Sequence, residues 1–83
     1  MEHDYLDRLK KGNIEGNVVE NALEKHTVED VRLSFMQGCL ERYCNHAKKE
    51  PEKALQYFQL ARETFRGKEI KYDGVSIPQP EKK

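Results

Sequence analysis

The sequence predicts a mainly α-helical domain that closes on a small β-hairpin. Apolar residues recur at helical spacing through most of the 83 residues, and helix start and stop residues divide that pattern into segments. Near the end, Asp73-Gly74 stands between alternating apolar and polar residues, the strongest short-range signal for a hairpin. The expected order is a short N-terminal helical region, two long antiparallel helices at about 28–47 and 51–66, and a hairpin at about 69–77. One domain over 1–78 and a frayed tail at 79–83 complete the expectation.

Asp4 can cap a first turn or two through "YLDRLKK", which Gly12-Asn13 then interrupts. From Ile14, the residues Val18, Val19, Ala22 and Leu23 line one face of an amphipathic helix. Gly16 and two asparagines weaken its propensity, so this helix depends on packing. Thr27 starts the next: its hydroxyl can accept from the backbone N–H near Asp30, whose charge suits the first turn. That helix carries Val28, Val31, Phe35, Met36, Cys39, Leu40, Tyr43 and Ala47, with Leu33 and Cys44 at the margin, an apolar arc of about 220°.

Pro51 fits the first turn of the second long helix, where its missing N–H leaves nothing unpaired, and Gly67 fits the residue past its end. The segment between repeats the wide arc with Ala54, Leu55, Tyr57, Phe58, Leu60, Ala61 and Phe65, leaving Glu52, Gln56, Gln59, Glu63 and Arg66 for water. A three- or four-residue connection makes the two long helices an antiparallel pair. One neighbour covers only about 100° of a helix, so these arcs call for several neighbours or a second copy of the chain. In the hairpin, a two-residue turn pairs Tyr72 with Val75 and Ile70 with Ile77 on one face, with Lys71 and Ser76 on the other. So small a ribbon is barely stable alone and must dock on the helices.

Composition narrows the function. Fifteen basic and fifteen acidic residues cancel, although residues 1–30 hold eight acidic against four basic groups and 31–83 seven against eleven. No run of about eighteen apolar residues exists to span a membrane, and "MEHDYLDRLKK" has no apolar core of a signal peptide. Cys39 and Cys44, on one helix, are roughly 7.5 Å apart along its axis, beyond an unstrained disulfide; a reducing cytoplasm is expected. Cys39, Cys44 and His46 are the only clustered soft ligands, yet Cys39 and His46 sit two turns apart and Cys44 points elsewhere, so no closed metal site is expected. Neither thiol has a histidine within one turn, and Lys48 is the only cation spaced to activate Cys44. Glu20/Glu24 and Glu52/Glu63 read as solvated faces, and His46 as a helix-terminal donor. No phosphate loop or nucleophilic triad is present, and no cofactor is implied.

The stretch "KALQYFQLARETF" is similar to the second helix of a tetratricopeptide repeat at Ala54, Phe58 and Ala61. The positions that would form that repeat's first helix hold Gly38, Glu41, Arg42 and Asn45, which do not fit, and the chain is not assigned to the family.

The expected function is therefore a small, non-catalytic, cytoplasmic protein–protein interaction module, an adaptor or regulator of the size found in phage and mobile elements. A homodimer is expected through the long helices, with Tyr57 and Leu60 at the arc margin nearest the partner. The competing expectation is a winged-helix regulator that binds nucleic acid through the hairpin and Lys48, Lys49, Lys53, Lys68 and Lys71, with Arg42 and Arg66 nearby. Against it, the water-facing strip of the last helix carries two glutamates and one arginine.

Overall fold

Two of the four helices start at a side chain that holds one of the first free N–H groups, and the helix starts set the layout of residues 4–80, which the computed structural model describes. His3 and the final Glu81-Lys82-Lys83 lie outside the described residues, so most of the expected frayed tail does too. The elements in order are α1 (Tyr5–Lys10), α2 (Gly16–Lys25), α3 (Val28–His46), α4 (Pro51–Phe65), β1 (Ile70–Tyr72) and β2 (Val75–Ile77). Asp4 caps α1, its carboxylate accepting from Asp7 N at 3.1 Å. Thr27 caps α3 in the same way, accepting from Asp30 N at 3.1 Å. Pro51 occupies the first turn of α4, and Gly67 follows its end with φ +80°.

α2 begins two residues later than the apolar spacing suggests. Glu15 takes an extended backbone, and its carbonyl accepts from Val18 N and Val19 N. Ile14 stays outside the helix but is buried. Its side chain comes down beside Gly38, on the part of α3 that α1 crosses. No side chain fits at Gly38, because a Cβ there would land on the Leu9 carbonyl oxygen.

α3 and α4 make the largest helix–helix contact. The start of α3 lies against the end of α4, where Arg32 reaches Thr64, and its last residue, His46, stacks on Tyr57 in the first half of α4. The two strands pair antiparallel, Ile70 with Ile77, Lys71 with Ser76 and Tyr72 with Val75. Asp73 and Gly74 form the turn at φ +48° and +86°, the two positive values of a type I′ turn. β2 packs on α2 and β1 on α4, burying Ile70, Val75 and Ile77 while Lys71 and Ser76 face water. Cys39 is buried and Cys44 exposed, both as free thiols.

The wide apolar arcs are only partly covered. The molecule measures 37 × 34 × 18 Å. Its short dimension is less than two helix diameters, so there is no room for a layer on both sides of α3 and α4. Val31, Phe35 and Cys39 face inward, while Leu33, Leu40 and Tyr43 of the same helix are exposed.

Candidate functional site

The uncovered side of α3 and α4 carries a strip of large apolar side chains. On α3, Leu33, Met36, Leu40 and Tyr43 follow one another at spacings of three and four, and on α4 Leu55, Phe58 and Phe65 follow at three and seven, which puts each set on one helix stripe. The stripes run side by side: Tyr43 and Phe58 hold their ring centroids 5.4 Å apart. Met36, Leu40, Phe58, Ala61 and Phe65 share one groove of about 290 Å³ with Arg62. A second groove, also about 290 Å³, continues past Met36 and Phe65 to Leu33 and Pro80 and is edged by Glu29. Phe65 is 80% exposed, Leu33 61% and Leu55 54%. Isolated exposed apolar residues are ordinary on a protein surface; a contiguous strip of large ones is not.

The two residues expected to meet a partner, Tyr57 and Leu60, are 2% and 8% exposed and belong to the core of this same chain. Their inward placement follows from where α3 lies: with Ala61 and Thr64 they make the buried side of α4, and the exposed margin of the arc falls at Phe58 and Phe65. Tyr57 is a structural hub. Its hydroxyl accepts from Arg42 Nη2 at 2.7 Å, and the Arg42 guanidinium lies 4.9 Å from its ring centre. Arg42 Nη1 in turn donates to the Gly12 carbonyl at 3.0 Å, tying the α1–α2 loop to α4. The Tyr72 ring packs edge-on to Tyr57 at 6.3 Å between centroids; burial first, then the neighbouring Tyr57 hydroxyl, push the Tyr72 pKa above its ordinary value. A buried tyrosine needs a partner for its hydroxyl, and that was the one signal by which Tyr57 and Arg42 could have been read together.

The polar cleft beside this hub, about 210 Å³, is lined by Arg42 and Lys53 but equally by Glu15 and Asp73. Two charges of each sign select no ligand charge. Nor is there an activated nucleophile at Cys39. Burial pushes its pKa up to about 12, with Arg42 pulling the other way, so the thiol stays protonated near neutrality. His46 Nδ1 lies 3.0 Å from Glu50 Oε1 and its ring is engaged with Tyr57. Among the described residues no three His, Cys, Asp or Glu side chains come close enough to hold a metal ion.

The lysines named for nucleic acid are all exposed but do not gather on one patch. Lys48 and Lys49 lie in the α3–α4 connection with Lys53 one turn into α4, whereas the Lys68 carbonyl binds Arg32 at the opposite end of the pair. The 15 residues of α4 separate the groups by about 22 Å. Lys71 sits on the water-facing side of the hairpin with its ammonium 4.0 Å from Glu69. Among the described residues no helix is long and apolar enough to cross a membrane. No protein-family model, curated protein or solved structure matches the chain.

Proposed function

We propose that this chain is a non-catalytic protein–protein interaction module of the cytoplasm, an adaptor or regulator, and that it binds its partner along the strip formed by Leu33, Met36, Leu40, Phe58 and Phe65. The observation that carries the reading is the continuity of that strip: two adjoining grooves are lined mainly by apolar side chains, with charges confined to their edges, on a chain with no surplus apolar residues to leave outside by default. Release of water from such a surface drives association without any chemical step. The exposed free thiol of Cys44 fits a reducing compartment.

A photo-activated cross-linking side chain placed at Phe65 or at Leu33, and separately at Lys48 or Lys71, tests this in cells that express the chain. Protein adducts of defined mass from positions 65 and 33, and none from 48 and 71, are the expected outcome. Nucleic-acid adducts from 48 and 71 would favour the winged-helix reading. No protein adduct from 65 or 33 would overturn the proposal. Duplex DNA binding in vitro should be weak and show no steep salt slope.

A further inference from the structure

We infer that the partner on this strip is a second copy of the same chain, related by a two-fold axis that runs parallel to α3 and α4 and lays α3 of each copy on α4 of the other. The inference rests on the interaction reading above and names the occupant of the strip. A two-fold interface must match itself, and this surface does so in area, shape and charge.

In area, the exposed parts of Leu33, Leu40, Tyr43, Leu55, Phe58 and Phe65 leave on the order of 600 Å² of apolar side chain, taking about 200 Å² for each residue. Backbone and flanking polar atoms bring one face near the roughly 800 Å² per partner of a stable interface. In shape, the most prominent knob, Phe65, stands beside the groove that reaches Leu33. Both belong to the same end of the helix pair, so a rotation that keeps like ends together sets Phe65 of each copy on the Leu33 groove of the other.

The charges agree with that rotation. At this end the α3 edge is acidic, with Glu29 and Asp30, and the α4 edge is basic, with Arg62 and Arg66. Laying α3 on the partner's α4 brings acid to base twice. A partner of strong single sign would match one edge and be repelled by the other. The chain's zero net charge removes long-range repulsion between copies.

Sedimentation velocity of the purified full chain from about 2 to 300 µM tests the inference. The expected result is a concentration-dependent dimer, lost in Phe65→Glu through at least a tenfold weakening of self-association, and unchanged in Lys71→Glu. Far-UV circular dichroism confirms that each variant folds. Asp30→Arg and Arg66→Asp should each weaken the dimer, and the double exchange should restore it. A monomer throughout, a dimer indifferent to Phe65→Glu, or a double exchange that fails to restore would each overturn this arrangement. If the chain is monomeric while cross-linkers at 65 and 33 still trap a different protein in cells, the second-copy inference fails and the interaction reading stands.

Discussion

Arg32 is the residue that a reading of apolar periodicity passes over. It lies 4% exposed between α3, α4 and the segment after β2, and its guanidinium donates to three backbone carbonyls: Thr64 at 3.0 Å, Lys68 at 2.6 Å and Pro78 at 2.7 Å. One acceptor lies in the last turn of α4 and the other two on either side of the hairpin, so the guanidinium ties the helix pair to the chain around the ribbon. The planar fork can serve three oxygens at once, which an ammonium on a flexible stem does poorly. Arg32→Met should therefore lower unfolding free energy by about 2–3 kcal/mol in urea titrations, and Arg32→Lys should recover less than half of that. A loss below about 0.5 kcal/mol for Arg32→Met would contradict this account. Cys39 gives a pH signature at the same scale. Its folded pKa, about 12, is raised above the ordinary 9.0. The folded state thus favours the protonated thiol, a contribution fully present below pH 9 and lost as pH rises toward 12. Stability of the parent against denaturant should fall across that window by more than that of Cys39→Ala, and a thiol reagent at neutral pH should label Cys44 at once and Cys39 only as the chain unfolds.

At the scale of elements, the crossing of α1 over α3 depends on an absent side chain. Gly38 lets the Leu9 carbonyl approach the α3 backbone and leaves Ile14 Cγ2 packed beside it. Gly38→Ala would favour α3 as an isolated helix by up to about 1 kcal/mol. The displaced neighbour is backbone, however, which yields far less readily than the end of a flexible side chain. The net effect should be a destabilisation of roughly 2–3 kcal/mol in thermal or chemical melts, and a stabilised variant would mean that α1 does not dock here. The caps at Asp4 and Thr27, Pro51 at the start of α4, Gly67 beyond its end and the Asp73-Gly74 turn were all legible because each acts on its immediate neighbours in sequence. Gly38 was not legible as a crossing point, since nothing local distinguishes a glycine that admits a neighbour from one that merely weakens a helix. The uncertain start of α2 has a related cause: Ile14 is apolar at the right spacing, yet it is buried from a loop. For the candidate site, the sequence supplied the wide arcs but not which part of each arc the rest of the chain covers. Tyr57 and Leu60 went inside because α3 lies on that side of α4, a tertiary fact that helical phase alone does not contain.

For the molecule as a whole, thinness and the hairpin decide what holds together. With a short dimension of 18 Å, the core is a single layer, and the hairpin closes the part of it bounded by α2 and α4. Ile70 and Ile77 are fully buried and Val75 nearly so, while two of the three carbonyls that hold Arg32 belong to Lys68 and Pro78, on either side of the ribbon. Removing residues 68–83 would therefore take Ile70, Val75 and Ile77 out of the core, uncover what they pack on, and leave a buried guanidinium with one acceptor from its present set. Each buried aliphatic side chain is worth about 1.5–3 kcal/mol, so three of them approach the whole 5–15 kcal/mol by which a domain is ordinarily stable. The truncated chain should lose its cooperative thermal transition and bind a hydrophobic dye, in the manner of a collapsed but unpacked state. Lys71→Glu, on the outer face of the same ribbon, should leave the transition within about 0.5 kcal/mol of the parent. A truncated chain that still melts cooperatively near the parent temperature would show that the four helices are sufficient alone, and the ribbon would then need another reason to be there. The lysine variant separates the two cases, because a ribbon kept for binding would tolerate loss of its inner face better than a reversal of charge on its outer one.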